Sequence, residues 1–259
     1  MNILAIETTG KYGSAAVIKE DGTVYDAVSS EEMNHLRGMI SLIDKAMERA
    51  GISKDELTHI AASAGPGSFT GIRIGVTTAR VMAQMLDLPC IGVSSLEGMA
   101  EGVLAAAVSA GALYIVPLIN ARRHQTYAAV YEAEFTSDYE QQALGDVMEE
   151  KQYMIEDLLA ELSEKLSAYE GAKVYFTGDG IDAYSEIIES TLTEGSFIYA
   201  PEDIRYQLAA PVARIALRKA EAGATCGYDE LMPEYMRLAE AEQRLRAGTL
   251  SDRIKKPVQ

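Results

Sequence analysis

The chain has no tryptophan, only two cysteines, four phenylalanines and seven prolines in 259 residues, and it is short of positive charge. Each shortage excludes something. Two cysteines, Cys90 and Cys226, are too few for a disulfide framework or a structural zinc site, so a reducing cytoplasm is the expected compartment. No run of roughly 18 apolar residues occurs, so no membrane-spanning helix is expected. The opening Met1-Asn2-Ile3-Leu4-Ala5-Ile6-Glu7 lacks the basic start of a signal peptide and reads as a first strand. Twenty-three Lys and Arg against 39 Asp and Glu leave a net charge of −16. A nucleic-acid binder relies on cations that neutralise phosphate, and an acidic chain is repelled instead. The basic residues that do cluster, Arg244, Arg246, Arg253, Lys255 and Lys256, sit at the C-terminal end and read as a solvated tail. If the protein serves RNA chemistry, another chain is expected to hold the RNA.

What is present is an ordinary globular mixture, 48% hydrophobic and 24% charged, enough for one large domain or two small ones. Ile3–Thr8, Ser14–Ile18 and Thr23–Val28 read as three antiparallel strands, the last two joined by a turn at Asp21-Gly22. A helix over Asn34–Ala50 follows, with Leu36, Met39, Ile40, Ile43, Met47 and Ala50 at helical spacing and Gly51 closing it. Then come a strand at His59–Ser63, a helix at Ile72–Leu86, a strand at Cys90–Val93 and a helix over Leu96–Ala107 that Ser94 or Ser95 can cap. A second round repeats the order in degraded form. Strands are expected at Leu113–Ile119 and Thr126–Phe135, and Glu132–Met154 is polar enough to read as a strand fragment with loops. A helix at Ile155–Leu166, a strand at Lys173–Thr177 and a helix at Ile181–Thr191 come next, then a loop at Pro201 and a last helix over Pro211–Ala222. The repeat implies two related α/β lobes with mixed sheets. The boundaries expected are 1–103 and 104–206, with a helix at about 207–222 packing back on the first lobe and an extension over 223–259.

The densest motif is Ala64-Gly65-Pro66-Gly67-Ser68-Phe69-Thr70-Gly71-Ile72-Arg73-Ile74-Gly75. A glycine-rich turn between strand and helix leaves backbone N–H groups at a helix N-terminus, a place that attracts phosphate or carboxylate. It is no Walker A loop, since no Gly-Lys-Ser/Thr closes it. The same glycines also suit a tight turn that packs strand and helix closely. Both readings stay open. The helix behind the turn carries only Arg73 and Arg80 as charges, while Ile72, Ile74, Val76, Ala79, Val81, Met82, Ala83, Met85 and Leu86 surround its axis. One stripe can pack on a sheet; the rest is either lobe core or a partner surface. Eleven methionines suit a surface that repacks against partners.

Four segments carry a resemblance: Ile3–Thr9, Gly65–Gly75, Ile91-Gly92-Val93-Ser94-Ser95-Leu96-Glu97-Gly98 and Pro233-Glu234-Tyr235-Met236-Arg237. They resemble the tRNA threonylcarbamoyladenosine family, formerly called glycoprotease-like, on its non-catalytic TsaB (YeaZ) branch. The resemblance implies two actin-like (ribonuclease-H-like) lobes with mixed sheets flanked by helices. It implies a scaffold that binds a TsaD-like catalytic subunit and a TsaE-like P-loop ATPase, forms a homodimer when the partner is missing, and meets tRNA only through the complex. The catalytic relatives carry two histidines one helical turn apart, where this chain has Ser95 and Met99. A hydroxyl and a thioether do not replace two imidazoles at a hard or borderline metal, and His35, His59 and His124 share no ligand spacing, so no metal site and no catalytic residue is expected. A vestigial nucleotide or anion site is expected at Thr8, Thr9, Gly65, Gly67, Ser68, Thr70 and Asp179, with ATP or ADP, if bound, at the joint with the partner. The expected partner interface is Leu36, Met39, Ile43 and Met47 on one helix and Arg73, Val76, Ala79, Arg80, Met82 and Ala83 on the next. The rival reading from another class is a self-sufficient small-molecule kinase or ATPase of the same fold; a homodimeric tRNA-binding module is disfavoured by the charge.

Overall fold

A computed structural model describes residues 1–32, 35–135 and 142–236. The chain opens with β1 (Asn2–Glu7), β2 (Tyr12–Lys19) and β3 (Val24–Glu32), an antiparallel meander in register Ile3 to Ile18 and Ala5 to Ala16. The Asp21-Gly22 turn forms as its residue types demand. Gly22 takes φ +81°, and the Asp21 carboxylate accepts the Thr23 N–H at 3.0 Å. After helix α1 (His35–Ala50) the chain enters β4 (His59–Gly65), parallel to β1; helix α2 (Phe69–Leu86) then leads to β5 (Cys90–Ser94), parallel to β4. The first sheet therefore runs β3-β2-β1-β4-β5.

Helix α3 (Ser95–Ser109) crosses to the second round: β6 (Tyr114–Asn120), β7 (Gln125–Phe135), β8 (Gln142–Met154), helix α4 (Ile155–Ser167), β9 (Val174–Thr177), helix α5 (Gly180–Thr191) and β10 (Phe197–Tyr199). The second sheet runs β10-β9-β6-β7-β8, the first sheet's order repeated. The fold is thus two mixed five-stranded sheets flanked by helices, as the duplicated pattern of the sequence implies. Two segments differ from that reading. The polar stretch before Met154 is one continuous edge strand, 13 residues long, because an edge strand needs only one buried face; Met148 and Tyr153 turn inward while Glu149 and Lys151 stay in water. The three-residue β10 is too short to leave a periodic signal.

Burial sorts the helices. α1 and α2 cover one face of the first sheet around Leu4, Ile6, Val17 and Ile60. α4 and α5 cover the outer face of the second around Val116, Val130 and Phe176. α3 lies on the inner face of the second sheet, against Ile115, Ala129 and Tyr175. The last helix, α6 (Ala209–Glu221), returns to the free face of the first sheet and packs Val212, Ile215 and Ala216 on Ile3, Ala5 and Ile91. Its first N–H is held by the buried Ser14 hydroxyl at 2.9 Å, and Arg218 forks onto Glu101 of α3 at 2.8 and 3.2 Å. Beyond α6 a strap, residues 226–236, runs back along the first sheet. Cys226 and Cys90 exchange backbone hydrogen bonds of 2.8 and 2.9 Å, Leu231 enters the core, and the Glu234 N–H reaches Ala64 O at 2.7 Å.

Two glycines of α2 set how closely that helix can lie on the end of β1. A Cβ at Gly71 would sit 1.9 Å from Thr8 O, and one at Gly75 would sit 2.5 Å from Thr8 Oγ1. Alanine normally raises helix stability over glycine by about 1 kcal/mol. Here the clash reverses the sign, and Gly71→Ala or Gly75→Ala is expected to cost about 1–3 kcal/mol as an overpacked core does. Gly38 of α1 meets nothing within 4 Å, so Gly38→Ala should be neutral or stabilising. Urea denaturation of the three variants checks the contrast.

Candidate functional site

The turn after β1 is buried, and everything in it is spoken for. Glu7 is 1% exposed, Thr8 0% and Thr9 2%, so each polar group must find a partner inside the protein. The Glu7 carboxylate accepts from the Ser63 hydroxyl and the Thr9 N–H. Burial pushes its pKa above the ordinary glutamate range, with those hydrogen bonds pulling the other way. The Thr8 hydroxyl donates to Gly71 O at 2.6 Å, and the Thr9 hydroxyl pairs with the Ser95 hydroxyl at 3.0 Å. The glycine-rich turn is stitched to the same place. Ser68 N–H donates to Thr9 O at 2.8 Å, and the Ser68 hydroxyl caps α2 by accepting from Gly71 N–H at 3.2 Å. Two N–H groups that an anion would need are already engaged.

A cleft of about 640 Å³ opens between the lobes. Thr9, Gly10, Lys11, Gly67 and Ser68 line one wall, and Asn120, Arg122, Asp179 and Asp182 line the other. Of the residues expected at an anion site, Thr9, Gly67, Ser68 and Asp179 meet here. Thr8 and Gly65 are buried behind the wall, and Thr70 is exposed outside it. Asp179 accepts the Asn120 N–H at 3.0 Å, and desolvation raises its pKa above the usual aspartate range. Asp182 is paired with Arg205 at 2.9 Å. Two cations thus face two carboxylates, and the buried Gln207 side chain lies directly against Gly10. A phosphate chain in this cleft would meet both carboxylates and cations, with the Ser68 and Gly71 N–H groups already bonded.

Ser95 and Met99, singled out by the resemblance, are packed inside the protein. Ser95 is 1% exposed and bonded to Thr9; Met99 is 2% exposed, with its methyl group tucked beneath Gly178. His59 Nδ1 pairs with Thr58 at 2.9 Å and His124 Nδ1 with Glu156 at 2.7 Å, both away from the cleft. Among the described residues no three His, Cys, Asp or Glu side chains are placed to hold a metal. Ser95 and Met99 act as packing, and a divalent metal does not suit that pair.

Residues 24–256 match the family of tRNA N6-adenosine threonylcarbamoyltransferase, TsaD. A Bacillus subtilis relative, tRNA threonylcarbamoyladenosine biosynthesis protein TsaB, is 31% identical over 94% of this chain and 97% of its own length. The chain belongs to the TsaB family. The Escherichia coli TsaB protein is 35% identical over 51% of this chain and 55% of its own. A solved structure, YeaZ from Pseudomonas aeruginosa, superposes with a TM-score of 0.70 at 20% identity, covering 90% of this chain and 99% of that one; it shows the shared fold. A Prosthecochloris aestuarii transferase matches at 33% identity over only 38% of this chain and 32% of its own. No described helix is long and apolar enough to cross a membrane.

For this TsaB-family chain the expected partner face needs correction. Met39, Ile43, Val76, Ala79 and Ala83 are 0–3% exposed: they are lobe core beneath α1 and α2. The helical period explains why. Residues 72, 76, 79 and 83 form the stripe that packs on the sheet, so it is the opposite side that stays free. Met47, Met82 and Arg80 are half-buried at the edge, Arg73 is exposed, and the Leu36 side chain falls outside what is described, as do Arg237 and the basic tail. The free side instead presents Phe69, Val81 and Met85 of α2, Ile40 of α1, and Met232 and Tyr235 of the strap. Val81, Met85 and Ile40 were visible as apolar residues one step off the core stripe. The strap's contribution had no local signal, since it depends on where the chain returns.

Two expectations follow from these placements. Met39→Glu should unfold the isolated chain, since an unpaired charge would enter the core, while Met85→Glu at 79% exposure should leave its melting temperature within a few degrees of wild type; thermal denaturation separates them. Glu7 sets a pH dependence. A carboxyl whose pKa rises on folding stabilises below its unfolded value, and that contribution is lost as pH climbs through the folded pKa. The stability of wild type relative to Glu7→Gln should therefore fall as pH rises from the unfolded value of about 4.5, measured by urea titration across a pH series.

Proposed function

We propose that this chain is a non-catalytic subunit of tRNA threonylcarbamoyladenosine biosynthesis. It binds a TsaD-type enzyme and supports transfer of the threonylcarbamoyl group to N6 of the adenosine beside the anticodon. One observation carries the reading. In a chain of the TsaB family, Ser95 and Met99 are buried and committed to packing, so neither offers a ligand or a reactive group to the cleft. The positive role then belongs to a surface, and the exposed apolar side of α2 with the strap is the one that gathers the most exposed apolar side chains among the described residues. A net charge of −16 fits an arrangement in which the enzyme subunit, and not this one, holds the tRNA. A TsaE-type P-loop ATPase completes the complex, and the same apolar face pairs two copies when the enzyme is absent.

Reconstitution tests this. The TsaD-type enzyme of the same organism should modify tRNA substantially faster with this chain added, and the chain alone should turn over no ATP above background. Robust ATP turnover by the single chain would instead make it a self-sufficient kinase or ATPase. Met85→Glu, which leaves the fold alone, is expected to weaken binding to the enzyme by about tenfold or more, because a charge would be desolvated in the joint; isothermal titration calorimetry reads it.

A further inference from the structure

Resting on the partner-binding reading above, we propose that Arg73, packed on the Phe69 ring and hydrogen-bonded to Tyr235, is the anchor by which this chain grips a carboxylate of its TsaD-type partner. The strap that carries Tyr235 is thereby part of the docking surface. The guanidinium carbon of Arg73 lies 4.0 Å from the Phe69 ring centroid and 5.8 Å from that of Tyr235. Its Nε donates to Tyr235 Oη at 2.9 Å, and the two rings lie 4.9 Å apart. These contacts fix the stem and one nitrogen of the fork. Among the described residues no acidic side chain pairs with the two terminal nitrogens. A guanidinium already held in place loses little further rotamer freedom when it binds, and its planar fork matches a carboxylate in two parallel hydrogen bonds.

The surroundings say what kind of partner supplies that carboxylate. Arg73 is flanked by Phe69 at 41% exposure and Tyr235 at 39%; further along the same helix, Met232 of the strap at 58% lies by Arg80, and Val81 at 47% and Met85 at 79% follow. An arginine set against aromatic side chains, with apolar residues further along the same surface, is the composition of a protein–protein hot spot, where apolar neighbours exclude water from the ion pair. A polyanion such as tRNA would leave that apolar rim uncovered and would be repelled by the chain's net charge of −16. The strap is built to stay put. Glu234 N–H is bonded to Ala64 O at 2.7 Å, and a Cβ at Gly65 would lie 2.3 Å from Glu234 O, so this glycine leaves the space the strap occupies.

Calorimetry of the full-length chain with the TsaD-type enzyme decides the matter. Arg73→Lys keeps the charge but not the fork and should lose about tenfold in affinity. Tyr235→Phe keeps the ring but not the hydrogen bond and should lose a few-fold, and the isolated variants should melt within a few degrees of wild type. An acidic-to-basic swap at the facing position of the enzyme should restore binding to Arg73→Glu. If wild type binds and Arg73→Lys binds within twofold of it, the anchor is wrong while the partner reading stands. If wild type does not bind the enzyme at all, both fall. Hydrogen exchange at the Glu234 amide guards against a merely structural role. Faster exchange in Arg73→Lys, with an equal affinity loss in a Gly65→Ala variant whose strap is loosened, would make Arg73 cement for the strap and overturn the assignment. Loss confined to nucleotide or tRNA binding would overturn it too.

Discussion

The contact of the β1 turn with the start of α2 is the constraint on which the rest depends. Thr8 presents its carbonyl and hydroxyl to a helix face made of Gly71 and Gly75, Thr9 presents its carbonyl to Gly67, and no larger residue leaves room for them. Because the turn is buried, each polar atom there is a liability unless bonded, since an unmet buried group costs roughly 1–3 kcal/mol. The Thr8 hydroxyl on Gly71 O, the Ser68 N–H on Thr9 O and the Thr9–Ser95 hydroxyl pair discharge that liability together. They also tie β1, α2 and α3 to one point. That is why the glycine-rich motif and the β1 exit act as one unit although some 60 residues separate them.

The same economy explains what the cleft has become. The Ser68 and Gly71 N–H groups at the start of α2 are used to close the turn, and Ser95 and Met99 are used to pack it. Ser95 fastens Thr9, and Met99 fills the space below Gly178. Gln207, brought in by the segment that precedes α6, lies on Gly10. A space of about 640 Å³ persists between the lobes, but its walls balance cations with carboxylates. What the chain gains is a rigid base for α2, and if α2 docks a partner as proposed, that rigidity lowers the entropy that association must overcome.

Much of this was legible in residues alone. The Asp21-Gly22 hairpin, the apolar runs of β1, β4 and β9 and the periodic helices were readable because their signals are local: turn chemistry, alternation and a 3.6-residue period. The duplicated order was readable because the second round repeats the first. The long edge strand β8 was not, since its polar outer face erases the alternation that marks a strand. The exposed stripe of α2 was not read from the sequence: most of the described residues expected on a partner face are core. Hydrophobicity names the residues of α2 but not their direction, and with apolar side chains nearly all round the helix, nothing in the sequence says which side meets the sheet.

By itself, then, the sequence determined the fold class, the family resemblance and the absence of two histidines, because each is written in residue identity and spacing along the chain. Only the tertiary structure decided which methionines are core and which are free, and that the C-terminal strap lies beside the glycine-rich turn. Arg73 and Tyr235 are 162 residues apart, and yet with Phe69 they form one cluster. Such a contact depends on the path of the whole chain across two sheets, and no local propensity encodes it. The glycine at position 65 belongs to both accounts: the sequence shows that it is there, and the fold shows that its missing side chain is the space through which the strap passes.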